Sequence, residues 1–254
     1  MNQNNIKEEN WALITGSSSG IGEALSYELA RHGFNIILHG RNKDELERVK
    51  NNIKTQSKII VLDLTKADAP KELLKSVENL NISVLVNNAG FGVSGDFKNT
   101  NLEHELDLIK VNIDIPVTLT KEFIKKSSLK YILNTSSLYS YFPVPKQSIY
   151  GASKAFLHSF TLAIANENPE LSISSLCPGL TYSKFRTRHG KDEKYYPVGL
   201  TSEQVAKVAV KGLLKKKKEI VPGLFNKIMA FTIPKLPANF GLSVIRKMNS
   251  SRGY

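Results

Sequence analysis

The sequence predicts an α/β fold, a doubly wound parallel sheet with helices on both faces. Three observations lead there. Short apolar runs alternate with longer segments of helical period. Five of the six apolar runs are rich in Val, Ile or Leu with little alternation, as in strands buried on both faces. Repeated strand–helix–strand order implies parallel pairing through right-handed crossovers.

The strands are expected at Trp11–Thr15, Phe34–His39, Lys58–Leu62, Ile82–Val86, Leu129–Thr135 and Leu171–Cys177, with helices near 20–32, 43–54, 67–79, 102–127 and 148–167. No internal repeat, low-complexity stretch or long linker interrupts them, so residues 1–254 read as one domain. Residues 184–200 form a long loop with Arg186, Arg188, Tyr195 and Tyr196. The segment 224–254 is apolar and basic together, and Pro234 and Pro237 divide it into two short helices. Packing on a cleft or within a dimer is its expected use; lying on an anionic bilayer is the alternative.

Composition bounds the rest. Lys and Arg number 35 against 23 Asp and Glu, a formal charge of +12. That balance attracts nucleic acid, anionic lipid or a phosphorylated ligand without choosing among them. No zinc-finger spacing or aromatic–basic RNA motif is present, which argues against nucleic acid. The polar, acid-bearing first ten residues do not read as a signal peptide, and no apolar run approaches a spanning helix. A cytoplasmic protein is expected. Cys177 is the only cysteine, so an intrachain disulfide is excluded; with no His nearby in sequence it reads as a buried strand residue. His39, at a strand end, reads as structural or near a bound base.

Ligands of doubly wound sheets bind beyond the carboxyl ends of the strands. The residues there read TGSSSGIG, HGRN, DLT, NNAG, NTSS and CPGL. The first, Thr15 to Gly22, follows a strand and opens a helix. Its glycines allow a tight turn and close approach of a pyrophosphate to backbone N–H groups, aided by the helix N-terminus. The spacing is GxxxGxG, not the common GxGxxG.

Tyr150 and Lys154, four residues apart, share a helix face. A nearby ammonium stabilises phenolate and so lowers a tyrosine pKa. Proton exchange near neutrality requires a shift of roughly three units from about 10, or about 4 kcal/mol. In a lysine-rich chain with nine tyrosines such a pair also arises by chance. Ser136 and Ser137 end the preceding strand, and the chain returns to Tyr150 through Pro143 and Pro145.

With these motifs in order, the chain resembles the short-chain dehydrogenase/reductase family in its single-domain, Rossmann-type form. The resemblance runs from Thr15 to Ser183. It implies an oxidoreductase that moves a hydride between a nicotinamide cofactor and a carbonyl or alcohol. Tyr150 would be the general acid or base, and Ser137, in preference to Ser136, would hold the substrate oxygen. Lys154 would hold the cofactor ribose and tune Tyr150, and Asn112, within a helix, would anchor a water leading from Lys154 to solvent. Gly16, Ser18, Gly20, Ile21 and Gly22 would surround the pyrophosphate, and Asp63 with Leu64 would meet adenine. Asn87, Ala89 and Gly90 would lie under the adenosine ribose, with Asn87 also bracing the sheet. Pro178, Gly179, Leu180 and Ser183 would border the nicotinamide, and the 184–200 loop would be a substrate lid. Phe91, Tyr139, Tyr141, Phe142 and Val144 would form an apolar wall for a hydrophobic carbonyl substrate.

Cofactor choice follows from one strand end. NAD-selective enzymes place a carboxylate after the second strand, whereas an arginine accommodates a 2′-phosphate. Here Gly40 and Arg41 occupy that place, so NADP(H) is expected over NAD(H). Family resemblance also implies a homodimer or homotetramer through helices 102–127 and 148–167, using Ala152, Ala155, Phe156, Ser159 and Phe160. The alternative is a nucleotide-binding sensor or scaffold without turnover, against which the intact Ser137, Tyr150, Lys154 and Asn112 argue.

Overall fold

The computed structural model describes residues 10–182 and 198–250. Its strands are β1 (Trp11–Ile14), β2 (Asn35–Gly40), β3 (Ser57–Val61), β4 (Ile82–Asn87), β5 (Tyr131–Thr135), β6 (Ser172–Leu176), β7 (Thr181–Tyr182), β8 (Leu200–Thr201) and β9 (Glu219–Ile220). Seven of them form one parallel sheet in the order β3-β2-β1-β4-β5-β6-β9. The chain winds outward from β1 to β3, then crosses back to β4 and winds the other way. The strand order therefore reverses between β1 and β4, and a crevice opens at their carboxyl ends.

The helices are α1 (Gly20–Arg31), α2 (Lys43–Lys50), α3 (Ala69–Ser76), α4 (Leu102–Ile109), α5 (Ile115–Phe123), α6 (Ser148–Glu167), α7 (Ser202–Leu214), α8 (Leu224–Thr232) and α9 (Ala238–Ser250). Successive strand residues point to opposite faces, and both faces are apolar. In β1, Ala12 and Ile14 join a core with Leu25 of α1, Leu46 of α2 and Val205 of α7. Trp11 and Leu13 join the other core, with Leu73 of α3, Leu119 of α5 and Ala165 of α6. That double burial is why the strands read as unbroken apolar runs.

All six expected strands form. The helix expected over 102–127 does not run through. After α4 the turn Lys110–Asp114 is a π-helix, in which the Ile115 amide reaches back to the Lys110 carbonyl. Pro116 explains the break, since it has no N–H to offer the carbonyl of Asn112. Helix α7 and strand β9 were not anticipated. Thr201 and Gln204 make a reciprocal capping box, and α7 then packs along α1.

The C-terminal segment forms two helices, with a short 3-10 turn over Ile233–Lys235 between them. Met229, Ile233 and Ile245 bury themselves against Leu138, Phe142 and Val144, the segment that follows β5. Among the described residues no helix is long and apolar enough to cross a membrane.

Candidate active site

The crevice begins at the glycine turn after β1. Gly16 has φ of +68°, and a Cβ there would stand 2.8 Å from Cα of Ala89. A Cβ on Gly22 would collide with the carbonyl oxygen of Gly16. Both positions therefore require glycine. Asn88 fastens the turn to the end of β4: its Nδ2 donates to the carbonyls of Thr15 and Gly16, at 3.1 and 3.0 Å. The amides of Gly20, Ile21 and Gly22 open α1 without intrahelical acceptors, and these residues line the cleft. Such an array suits a pyrophosphate.

Two further side chains hold the turn. Arg48 of α2 forms a fork with Glu23 of α1, at 2.7 and 2.8 Å, and donates to the carbonyl of Ser18 at 3.3 Å. His39 accepts the Gly16 amide at Nδ1, 3.3 Å away. Burial pulls the His39 pKa down to about 4, so the imidazole is neutral with its proton on Nε2. His39 thus meets the structural half of its expectation, supporting the turn, and it also lines the cleft. The Arg48 fork gave no signal in the sequence, because Glu23 and Arg48 are distant along the chain.

Arg41 and Asp63 stand on the rim beside Leu64. Burial alone would raise the Asp63 carboxyl, but bonds from the Thr65 amide and hydroxyl, with the charges of Arg41 and Lys66, hold it below the usual range. At Gly40 a Cβ would lie 3.3 Å from Cβ of Ser18 and 3.4 Å from Cδ2 of Leu46. A longer side chain has little room there.

At the other end of the cleft, β5 delivers Ser137 and α6 delivers Tyr150 and Lys154. The Ser137 hydroxyl accepts the Tyr139 amide at 3.1 Å and is hydrogen-bonded to the Tyr150 hydroxyl. Ser136 is occupied elsewhere, donating to the Lys154 carbonyl at 2.7 Å. Geometry thereby separates the two serines that the sequence left side by side. Lys154 is 4% exposed and donates from Nζ to the carbonyl of Thr135 at 2.9 Å. Gly90 admits this cluster, since a Cβ there would lie 2.9 Å from Asn112 Oδ1 and 3.3 Å from Lys154 Nζ.

Burial governs the proton affinities. It pushes the Tyr150 hydroxyl up to about 12, with the Ser137 hydrogen bond working in the opposite direction. It pulls Lys154 down to about 8. In the protein alone, Lys154 does not bring the phenol toward neutrality as the sequence suggested. Its Nζ lies 5.7 Å from the Tyr150 ring centre and bonds the Thr135 carbonyl.

Ser18, Ala89, Pro178, Gly179 and Leu180 also line this one cleft of about 630 Å³. Asn112 stands behind it, in the π-turn. Its amide donates to the Phe91 carbonyl and the Ser153 hydroxyl and accepts the Phe91 amide. Asn87 does not line the cleft; its Nδ2 donates to Asn134 at 2.8 Å and to Thr120 at 3.2 Å, bracing β4 against β5 and α5. The cleft-lining asparagine is its neighbour Asn88. Ser183 and residues 184–197 of the expected lid lie outside the described residues.

Two of the five residues expected in the apolar wall are found there. Phe91 and Tyr139 line the cleft, joined by Val93 and Leu138. Phe142 and Val144 are instead buried under the C-terminal helices, and Tyr141 bonds Glu219 at 2.8 Å. Cys177 is buried as expected, but folding brings His158 Nδ1 within 3.5 Å of its sulfur. Burial still pushes the thiol up, so it stays protonated near neutrality.

Comparison with known proteins agrees with this geometry. Residues 10–194 match the sequence profile of the short chain dehydrogenase family. An uncharacterized oxidoreductase of Staphylococcus epidermidis is 31% identical over 180 residues, which are 68% of this chain and 78% of that protein. The mouse 17-beta-hydroxysteroid dehydrogenase type 3 is 37% identical over 167 residues, 62% of this chain but only 54% of its own length. A solved short-chain dehydrogenase from Sphingobium yanoikuyae, in complex with NADPH, superposes with a TM-score of 0.78 at 27% identity. That match covers 85% of this chain and 88% of the other.

Proposed function

Because the chain belongs to the short-chain dehydrogenase/reductase family, we propose that it is an NADPH-dependent oxidoreductase that reduces the carbonyl of a hydrophobic small molecule. One observation carries the reading: Ser137, Tyr150 and Lys154 converge at one end of a cleft whose other end holds a glycine turn and Arg41. A nicotinamide dinucleotide bound there supplies the hydride.

The protein's own residues do the remaining work. Ser137 hydrogen-bonds the substrate oxygen and stabilises the charge that develops on it. Tyr150 donates its proton to that oxygen. With its hydroxyl held at about 12 in the protein alone, Tyr150 carries its proton near neutrality and so begins as the general acid of carbonyl reduction. Lys154 grips the ribose and keeps a positive charge behind Tyr150. Asn112 holds the Phe91 backbone, and Pro116 has no N–H to offer the Asn112 carbonyl, which would anchor a water leading to Lys154. The intact cluster speaks against a scaffold without turnover. Phe91, Val93, Leu138 and Tyr139 favour an apolar substrate.

The preference for NADPH over NADH rests on the rim. A guanidinium pairs with a 2′-phosphate by charge-assisted hydrogen bonds. Gly40 leaves no carboxylate to repel that phosphate or to hold a 2′-hydroxyl.

Assembly as a homodimer or homotetramer is supported by an apolar surface on two helices. On α6, Ala152, Phe156 and Ser159 are exposed, and Phe156 stacks on Phe160. On α4, Leu102, Leu106 and Ile109 are exposed at helical spacing. A solution-scattering mass of at least two chains is expected at micromolar concentration; one chain would refute it.

Tyr150→Phe is expected to keep cofactor affinity and lose carbonyl reduction by ~100- to 10,000-fold. Turnover near the wild-type rate would remove Tyr150 from the mechanism.

The pH dependence follows from Lys154. Its charge is complete below about 8 and is lost as pH rises through that value. Reductive kcat/KM for the nucleotide, which reports the free enzyme, should be level below pH 8 and fall above it. Lys154→Arg should move that limb upward; a profile level into the far alkaline range would contradict the assignment.

NADPH should bind more tightly than NADH by roughly 2–3 kcal/mol, the worth of a charge-assisted contact. Arg41→Ala should erase most of the difference and spare NADH. Calorimetric titration checks both, and equal or tighter NADH binding to the wild type would overturn the cofactor choice.

A further inference from the structure

Helix α8 is apolar on two opposite sides. Residues advance about 100° per position, so Asn226, Met229 and the following Ile233 fall on one side. Leu224, Ile228 and Phe231 fall on the other. The first side is buried. Met229 and Ile233 pack on the segment after β5, and Asn226 presses against Gly179 so closely that a Cβ there would collide with it. The second side faces outward: Leu224, Ile228 and Phe231 are 75%, 53% and 65% exposed. A helix apolar around its whole circumference is ordinarily enclosed. The protein encloses half of this one.

Charge identifies what covers the other half. From Ile220 to Tyr254 the sequence holds no Asp or Glu, yet it carries Lys227, Lys235, Arg246, Lys247 and Arg252. Lys227 borders the outward stripe in the helical projection, and the Lys235 ammonium lies over the Phe231 ring. An apolar stripe edged by cations, with no carboxylate in the segment, complements a bilayer of anionic lipid. The stripe enters the acyl boundary and the lysines meet headgroups. A second copy of the chain fits poorly, because one wholly cationic patch would oppose another. The α4 surface differs, since Glu103 and Asp107 accompany its apolar residues.

We propose that the outward face of α8 docks the protein on anionic membrane surfaces as a peripheral protein. The buried side of the same helix touches Gly179 and packs on Leu138, two residues that line the cleft, so the helix that docks is also a wall support of the catalytic end. Resting on the proposed activity, this makes bilayer-dissolved carbonyl compounds the substrate class. The docking itself does not depend on turnover.

The test is sedimentation of the full chain with vesicles of phosphatidylcholine alone, or with about one third phosphatidylserine. The wild type should pellet with the anionic vesicles and remain in solution with the neutral ones. Lys227→Gln and Lys235→Gln should each lower the partition coefficient about fivefold. Combined Leu224→Ser, Ile228→Ser and Phe231→Ser should abolish binding while the thermal midpoint, nucleotide affinity and scattering mass stay unchanged. Wild type that ignores anionic vesicles, or a triple variant that binds them like wild type, overturns the proposal. A triple variant that loses binding and also drops from dimer to monomer overturns it in favour of a second copy. If the triple variant does not fold, the lysine variants decide: unchanged partitioning overturns the proposal and the fivefold losses support it. Loss of turnover with intact vesicle binding refutes the enzymatic reading alone.

Discussion

A parallel sheet covered on both faces leaves one place for chemistry. In its inner strands, from β2 across to β6 in the sheet order, amides and carbonyls pair with neighbours on both sides, and most side chains on both faces are committed to packing. Only the strand ends carry free polar groups, and only where strand order reverses does a gap separate two of them. In this protein the gap lies between β1 and β4. The glycine turn, the Asn88 clasp, the buried lysine and the Ser137–Tyr150 pair are arranged around that gap.

Low dielectric is the second consequence of the arrangement. Lys154 is almost wholly enclosed, and its ammonium has a backbone carbonyl for company rather than a carboxylate. Burial therefore moves Tyr150 and Lys154 in opposite directions, each toward its uncharged form. A counter-anion beside Lys154 would have stabilised the charge but fixed it there. A neutral carbonyl oxygen holds it less firmly.

What the sequence revealed depends on the range of each interaction. The strands were legible because burial on two faces is written residue by residue, as in Ile36–Leu38 and Val84–Val86. The glycine turn and the Tyr150–Lys154 pair were legible because their spacing is local, whereas the choice of Ser137 over Ser136 rested on family resemblance. Helix α7 went unanticipated although its signals are local: a capping box and the Val205, Ala206, Ala209, Val210 and Leu213 stripe. Three features were not readable. The Glu23–Arg48 fork and the His158–Cys177 contact join residues remote in sequence, and neither partner alone distinguishes itself. The side-chain direction of Asn87 against Asn88 depends on which face of the sheet the strand end presents. The π-turn at Asn112 lies between these cases: Pro116 announces a break, but not that it takes the form of a wider turn.

The fork between Arg48 and Glu23 has a consequence for how nucleotide preference can change. It ties α2 to α1, and so joins the strand end bearing Arg41 to the cradle formed by the glycine turn. The backbone of that strand end and of the cradle is thus braced in the free protein. The fork also makes them separable modules. Residue 41, on the rim, can be exchanged while the fork keeps the cradle in register, whereas a side chain at residue 40 would press on Ser18 and Leu46.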